Sequence, residues 1–300
     1  MRLVVTGSSG FLGSALIPFI STRGHAVTRL VRSSPREGEI HWDPGAGRVN
    51  GAALEGVEAV IHLAGDNIAT GRWTAAKKAR IRDSRVRGTR LLSEALASLK
   101  SPPKALLCAS GCGYYGDRGE EILTEASLPG SDFLADMCRE WEAACTPAVE
   151  KGIRVVNLRF GMVLHSTAGA LRKMVPPFKM GVGGKLGFGR QYMSWVAIGD
   201  VLGAIDHILS TPEIKGPVNV VTPQPVTNEE FTKTLGKTLS RPTIFSVPAF
   251  ALRLALGELA DMVLLASHRV QPERLLASGY SFLYPELEGA LRHLLGRTAP

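Results

Sequence analysis

Thr6-Gly7-Ser8-Ser9-Gly10-Phe11-Leu12-Gly13 joins a strand-like run to a helical run. Gly7 allows a sharp turn, Gly10 admits a phosphate close to the backbone, and Gly13 lets helix and strand pack closely. The helix N-terminus adds free N–H groups and a partial positive charge. The segment therefore predicts a dinucleotide-binding loop whose contacts are Gly7, Ser9, Gly10, Phe11, Leu12 and Gly13.

Beyond this loop, apolar runs of strand length alternate with longer segments of helical period. This alternation is typical of a parallel sheet with helices on both faces. Strands are predicted at residues 3–5, 26–31, 40–42, 57–63, 105–110, 153–159 and 218–221, with helices at 11–23, 74–99 and 132–150. Residues 166–189 are rich in glycine and show no strong period, which predicts an irregular segment over the carboxyl edge of the sheet. From residue 227 onward the pattern is helical.

The predicted fold class is α/β, a doubly wound parallel sheet with a small, mostly helical C-terminal lobe. We assign residues 1–165 to a nucleotide-binding domain, with residues 195–225 returning to its sheet. Residues 166–194 and 226–300 are assigned to a substrate or cap lobe, over the sheet edge where ligands of such folds bind.

The net charge of +8 is spread along the chain, and its densest run is Lys77 to Arg82. Helical periodicity there favours a solvated helix face over an anion-binding or nucleic-acid surface. The sequence has no basic patch interleaved with aromatics and no zinc-finger spacing, so no nucleic-acid partner is predicted.

Cysteine usage and hydropathy predict a cytosolic protein without a membrane segment. The four cysteines form no Cys-x-x-Cys pair, which favours reduced, mostly buried thiols in a reducing compartment and no metal site. The chain enters its first strand at residue 2, which leaves no room for a signal peptide. The longest apolar stretch, residues 247–266, contains Arg253, Glu258 and Asp261 and therefore predicts packed helices.

The end of the second strand predicts which dinucleotide binds. Enzymes that use NAD place an acidic residue there to hold the ribose 2′-hydroxyl. Here the strand ends in Leu30-Val31-Arg32-Ser33-Ser34, without an acid. A guanidinium would attract the 2′-phosphate and stack on adenine, so Arg32 predicts NADP. The alternative is a surface arginine that merely follows a strand.

The fourth strand ends in His62-Leu63-Ala64-Gly65-Asp66, where small residues let the cofactor approach. His62 is interpreted as a packed strand residue rather than a catalyst. Two roles remain open for Asp66, which would either cap a turn or lie near the nicotinamide and carry a proton.

With these motifs in place, the sequence resembles the extended short-chain dehydrogenase/reductases, and within them an NAD(P)-dependent epimerase-like subgroup. The resemblance covers nearly the whole chain. It rests on Thr6 to Gly13, Leu63 to Ile68 with Arg72-Trp73, Gly113 to Gly116, Pro176-Pro177-Phe178, Gly181 to Gly184, Gly189 to Tyr192, Trp195 and Val247-Pro248.

The resemblance implies a Rossmann domain with strand order 3-2-1-4-5-6-7 and a variable substrate lobe. It places Val31 and Arg32 at the adenosine and Leu63 and Ala64 at the ribose. Arg85 would contact the cofactor phosphates or only extend the basic face of its helix. Val163 would line the nicotinamide pocket.

The resemblance fails at the catalytic pair. Such enzymes use a Tyr-x-x-x-Lys pair, in which the phenol is the general acid/base and the ammonium lowers its pKa. None of the five tyrosines here has a lysine four residues later, and in the helix expected to carry the pair, apolar residues stand where the phenol and the ammonium should be. Ser110 matches the residue that hydrogen-bonds a substrate oxygen. A proton would come from Tyr115, with Tyr114 less favoured, unless both tyrosines only pack at a strand end.

Three function classes follow. The first is an NADP-dependent oxidoreductase or epimerase acting on a small polar molecule, for example a sugar derivative, with Ser110, Tyr115 and Asp66 as its acid–base groups. The second is a catalytically degenerate protein that binds NADP(H) as a sensed or structural ligand. A third class, a cell-division or nucleic-acid regulator, is supported only by the net charge.

Overall fold

The computed structural model describes residues 1–297. The strands are β1 (Arg2–Thr6), β2 (Ala26–Val31), β3 (Glu39–Asp43), β4 (Arg48–Val49), β5 (Ala59–His62), β6 (Ala105–Gly111), β7 (Ile122–Leu123), β8 (Arg154–Phe160), β9 (Met162–Leu164), β10 (Gly184–Leu186), β11 (Tyr192–Met193), β12 (Trp195–Ala197), β13 (Gly216–Val220), β14 (Val226–Thr227), β15 (Phe245–Val247) and β16 (Arg269–Val270).

The α-helices are α1 (Phe11–Thr22), α2 (Ala75–Ala97), α3 (Phe133–Ala143), α4 (Thr146–Glu150), α5 (Gly169–Lys179), α6 (Ile198–Ser210), α7 (Asn228–Leu239), α8 (Ala249–Leu256), α9 (Glu273–Ala277) and α10 (Leu287–Leu294). Short 3₁₀ turns cover Gly51–Leu54 and Cys112–Tyr115, and Ala260–Leu265 forms a π-helical turn.

The central sheet has eight strands in the order β13-β8-β6-β5-β1-β2-β3-β4. All neighbouring pairs are parallel except β3 and β4, which form a short antiparallel edge. Read in chain order, the seven parallel strands follow 3-2-1-4-5-6-7, which confirms the predicted fold class. The strand order reverses between β1 and β5, and in such sheets this is where a ligand binds at the carboxyl ends.

Helices cover both faces of the sheet. On one face, Ile81 and Leu92 of α2 pack with Trp141 of α3. On the other face, Leu16 of α1 packs with Ile205 of α6. A third cluster joins the C-terminal helices, with its largest side chains contributed by Phe178, Trp195, Phe231, Leu235 and Leu291. The proposed division into a nucleotide domain and a cap lobe stays a prediction.

The prediction of an irregular segment at residues 166–189 is wrong, because α5 occupies Gly169–Lys179 despite Pro176 and Pro177. Leu171 and Phe178 of α5 are buried in the C-terminal cluster. Burial of an apolar helix face can outweigh the local cost of proline, and this packing is not visible in the local sequence.

The prediction of one continuous helix at 132–150 is also wrong. The helix ends at Ala143 and a new helix begins at Thr146, with Pro147 in its first turn. Proline is well tolerated there, because its missing N–H would have no partner within the helix. The four cysteines are free and buried, as predicted. No helix of residues 1–297 is long and apolar enough to cross a membrane.

Candidate functional site

The glycine loop packs directly against the end of β5. Gly7 has φ +65°, and a Cβ atom there would lie 2.7 Å from the carbonyl carbon of Leu63. A Cβ atom on Gly13 would lie 2.3 Å from the carbonyl oxygen of Gly7. Both contacts are with backbone, which cannot move aside. The two glycines therefore allow the close approach of β1, β5 and α1 that the sequence predicts.

The N-terminus of α1 opens at the same place. Gly10 is the N-cap residue and has no side chain to cap the helix. The amides of the first helical turn, from Phe11 to Gly13, have no acceptor within the helix. Ser9 is exposed beside them. This is the arrangement of backbone N–H groups and helix dipole that binds phosphate.

Phe11 connects the loop to the segment that follows β9. Its ring meets His165 edge to face, with 5.5 Å between centroids. Val163 precedes this segment in β9 and is half-buried against the core cluster that also contains Leu12. The glycine loop and the residues after β9 therefore lie side by side at the carboxyl ends of the strands, where sheets of this kind have their ligand cleft.

The end of β2 carries Val31, which is half-buried, and Arg32, which is exposed. Over residues 1–297, no carboxylate lies within ion-pair distance of the Arg32 guanidinium. Its charge is thus available beside the cleft, where the adenosine half of a dinucleotide would lie.

A threonine joins β1 to the end of β5. Thr6 Oγ1 accepts hydrogen bonds from the amides of Leu63 (3.1 Å) and Ala64 (3.3 Å), and it lies 2.7 Å from His62 Nδ1. Because its oxygen already accepts two bonds, the hydroxyl donates to His62 Nδ1. Burial lowers the pKa of His62 to about 4. His62 is therefore a neutral packed residue, as interpreted from the sequence.

Asp66 is held in an ion pair. Its carboxylate lies 2.8 Å from Lys77 Nζ, and its backbone amide donates to Ser84 Oγ. The hydrogen bond from Lys77 lowers the pKa of Asp66. A carboxylate in this state is a poor proton donor near neutral pH. Its predicted catalytic role stays untested, and the contacts favour an anchoring role.

Arg85 of α2 reaches the loop after β5. Its guanidinium carbon lies 3.2 Å from the position of a Cβ atom on Gly65, and Nη1 donates to the carbonyl oxygen of Asp66 at 2.9 Å. The same group lies 5.0 Å from the centre of the Trp141 ring. The Arg85 side chain therefore lies beneath Gly65 and against Trp141, and its predicted contact with the cofactor phosphates stays untested.

Ser110 and Tyr115 belong to one buried polar network. Ser110 Oγ donates to Glu142 (2.7 Å), and Glu142 is paired with Arg159 through two hydrogen bonds of 2.8 Å. Arg159 Nη1 donates to the Tyr115 hydroxyl (3.0 Å), which donates to Asn219 Oδ1 (2.7 Å). Tyr115 is completely buried, and burial raises its pKa. Their predicted catalytic roles stay untested, and these contacts favour a structural role.

Helix α3 presents two apolar residues to the end of β6. Leu134 lies 3.1 Å from the position of a Cβ atom on Gly113, and Cys138 Sγ lies 3.8 Å from the carbonyl oxygen of Gly111. Burial raises the pKa of Cys138 to about 12. These two positions are four residues apart, the spacing of the missing Tyr-x-x-x-Lys pair. Neither side chain can transfer protons near neutral pH.

Tyr114 differs from its neighbour. It is half-buried, and the Arg159 guanidinium lies 3.4 Å from the centre of its ring.

Within the described chain, no group of three or more His, Cys, Asp or Glu side chains could hold a metal ion.

Two family models match this chain. One, described as the NAD dependent epimerase/dehydratase family, matches residues 3–221. The chain belongs to that family, within the extended short-chain dehydrogenase/reductases. The second, a domain of unknown function named DUF1731, matches residues 247–294. The family resemblance read from the sequence is therefore confirmed.

Relatives of this family match over nearly the full length. The epimerase family protein MT2273 of Mycobacterium tuberculosis is 41% identical over 98% of each chain. Human epimerase family protein SDR39U1 is 36% identical over 98% of this chain and 100% of its own. The crystal structure of human SDR39U1 isoform 2 with NADPH has a TM-score of 0.91 at 34% identity, covering 99% of this chain and 100% of that one. A nucleoside-diphosphate sugar epimerase structure from Corynebacterium glutamicum has a TM-score of 0.80 at 35% identity, covering 99% of this chain and 58% of that one.

The sequence reasoning missed Glu142, Arg159 and Lys77, which hold the predicted site residues in place. The sequence does indicate that Arg159 is unusual, because it is a charged residue within an otherwise apolar strand run. A buried charge requires a partner. The identity of that partner depends on how α3 packs on the sheet, and no local pattern predicts it.

Proposed function

We propose that the chain binds NADP(H) in the cleft at the carboxyl ends of β1, β2 and β5. The packing of Gly7 and Gly13 against backbone carries this proposal, because it opens the helix N-terminus to a pyrophosphate. Arg32 has no ion-pair partner within residues 1–297 and follows a strand that ends without an acidic residue. Both features support binding of the 2′-phosphate that distinguishes NADP from NAD. The NADPH in the related human structure supports the same choice.

Titration of cofactor-stripped protein with NADPH and NADH tests the proposal. NADPH should bind more tightly than NADH, and Arg32→Ala should weaken NADPH binding about 10- to 100-fold, the value of a charge-assisted hydrogen bond to phosphate. NADH binding should change little in this variant. Equal affinities for both cofactors in the unmodified chain would refute the role of Arg32.

A pair of glycine variants tests the loop itself. Gly13→Ala places a methyl group 2.3 Å from a carbonyl oxygen and should abolish binding of both cofactors. Gly289→Ala is the matched control, because this helical glycine has open space around it and its substitution should leave binding unchanged. Unchanged binding in Gly13→Ala would place the dinucleotide elsewhere.

We further propose that the bound cofactor is sensed rather than used in acid–base catalysis. When bound, the nicotinamide supplies hydride chemistry, and the protein must supply a proton route. Here Ser110 and Tyr115 are engaged in the buried network, Asp66 is ion-paired, and α3 offers Leu134 and Cys138. None of these groups is a free acid near pH 7. This supports a catalytically degenerate NADP(H)-binding protein.

The second candidate is an NADP-dependent epimerase or oxidoreductase acting on a small polar, sugar-derived substrate. The nucleoside-diphosphate sugar epimerase related at 35% identity favours it. Turnover separates the two candidates, whereas affinity does not. Incubation with 4-deuterated NADPH and small carbonyl compounds should leave the deuterium on the cofactor, and incubation with NADP⁺ and a panel of nucleotide sugars should leave the configuration of each sugar unchanged. Enzyme-dependent transfer of deuterium, or inversion of a sugar centre, would establish the second candidate.

A further inference from the structure

Arg85 is a positive charge without a counter-ion at the edge of the cleft. Over residues 1–297, no carboxylate lies within ion-pair distance of its guanidinium, and its buried Nε atom has no hydrogen-bond partner. Its Nη1 donates to the backbone carbonyls of Asp66 and Ile81. Such bonds fix the direction of the guanidinium and leave its charge uncompensated.

The acids around Arg85 are neutralised by other partners. The Asp66 carboxylate is paired with Lys77 at 2.8 Å, and the Glu142 carboxylate is paired with Arg159 at 2.8 Å. The remaining neighbours are the Trp141 ring and the thiol of Cys138. The local net charge at this end of the cleft is therefore positive.

This end of the cleft corresponds to the second half of a dinucleotide site. In a doubly wound sheet each half binds one mononucleotide, and the glycine loop separates them. Arg32 follows β2 in the first half. Arg85 lies under Gly65, which follows β5, and close to Cys138, which contacts the end of β6. The half beside Arg85 is the one that would receive the nicotinamide.

We propose that Arg85 makes this site select NADPH over NADP⁺, so that the chain reads the redox state of the cofactor. This rests on the proposed binding of NADP(H). The oxidised nicotinamide ring carries one positive charge and the reduced ring carries none. Both forms carry the same phosphates, so any contact of Arg85 with phosphate cancels in the ratio of the two affinities.

The expected size of the effect follows from Coulomb's law. Two like charges about 10 Å apart, at an effective dielectric constant of about 20, change a dissociation constant about tenfold. The selection needs no proton transfer, which agrees with the engagement of Ser110, Tyr115 and Asp66 in other contacts. It also gives a function to a buried charge that otherwise costs stability.

Calorimetric titration of the full chain with NADPH and with NADP⁺ measures this ratio directly. The unmodified chain should bind NADPH about tenfold more tightly than NADP⁺. Arg85→Gln should bring the ratio close to one, whereas Arg85→Lys should preserve most of it. Arg87→Gln is the matched control, because Arg87 lies on the same helix with its side chain 75% exposed, and it should leave the ratio unchanged.

Arg32→Ala separates this inference from the proposed function. It should weaken NADPH and NADP⁺ equally and leave their ratio intact. A ratio near one in the unmodified chain would overturn the inference even if both cofactors bind. A tenfold ratio that persists in folded Arg85→Gln would overturn it as well. Absence of binding by both cofactors would overturn the proposed function and the inference together. If Arg85→Gln does not fold, the ratio of the NADPH and NADP⁺ affinities is measured in the unmodified chain and in Arg85→Lys. A ratio near one in either protein would overturn the inference.

Discussion

At the scale of single residues, His62 links the glycine loop to the pH dependence of stability. Its ring is completely buried, Nδ1 is hydrogen-bonded to Thr6, and Nε2 has no partner. Burial lowers its pKa from 6.5 to about 4. The unfolded chain therefore binds a proton between these values while the folded chain does not. The stability that neutral His62 contributes is present above pH 6.5 and is lost as the pH falls toward 4.

This predicts that the free energy of unfolding falls between pH 6.5 and pH 4, with His62 contributing on the order of 3 kcal/mol. His62→Asn keeps a hydrogen-bond acceptor near the Nδ1 position and removes the titration. At pH 7 the free energy of unfolding of this variant should be lower than that of the unmodified chain, because its side chain is smaller. It should also change less between pH 6.5 and pH 4. His268 is half-buried and its desolvation also lowers its pKa, so the measurement is the difference between the two urea-unfolding series. Parallel pH profiles would contradict the prediction.

The features that the sequence predicts well are local. Gly7 and Gly13 allow one tight turn to pack against backbone, and Arg32 lies exposed after the end of one strand. Their spacing alone carries this information. The orientation of Ser110 and Tyr115 depends on Glu142 and Arg159, which come from separate elements. No periodicity connects these segments, so the buried network could not be predicted.

At the scale of elements, the pair formed by Glu142 and Arg159 joins α3 to β8. The Arg159 side chain is 3% exposed and that of Glu142 is 13% exposed. Although burial alone lowers it, the hydrogen bonds and charge of Glu142 raise the pKa of Arg159. Removing one partner of such a pair leaves an uncompensated buried charge, which costs about 3–5 kcal/mol.

We therefore predict that Glu142→Gln lowers the free energy of unfolding by about 3 kcal/mol or more. Glu140→Gln is the control on the same helix. Glu140 pairs with Arg82, whose side chain is 53% exposed, so its loss should cost less than about 1 kcal/mol. Urea unfolding at pH 7 compares the two variants. Equal losses would show that α3 is not anchored through Glu142.

The elements that sequence patterns missed are short or depend on distant packing. β9 and β12 pair over three residues, and β11 and β14 pair over two. Runs of this length show no alternation of polar and apolar residues. By contrast, the long apolar strands and the 23-residue α2 carry enough periods to be recognised.

At the scale of the whole molecule, contacts around the cleft join distant parts of the chain. The segment after β5 is bonded to α5 through Lys173 Nζ and the carbonyl oxygen of Ala69 (3.0 Å). Lys78 of α2 is paired with Glu258, beyond α8 (2.7 Å). The segment after β5 is thus bonded to the central sheet and, through α5, to the cluster of C-terminal helices. A ligand bound in the cleft would contact this segment. Its binding energy should stabilise all of them together.

We therefore predict that NADPH raises the melting temperature in a single transition. At a concentration 100 times its dissociation constant, a ligand that binds only the folded state adds about 2.7 kcal/mol to the free energy of unfolding. For a chain of 300 residues that corresponds to about 4 °C. NADH at the same concentration should give a smaller rise, and Arg32→Ala should remove most of the difference, because both effects depend on the 2′-phosphate. Calorimetry supplies the measurement. Two separated transitions, of which NADPH moves only one, would show that the C-terminal helices unfold independently of the cofactor cleft.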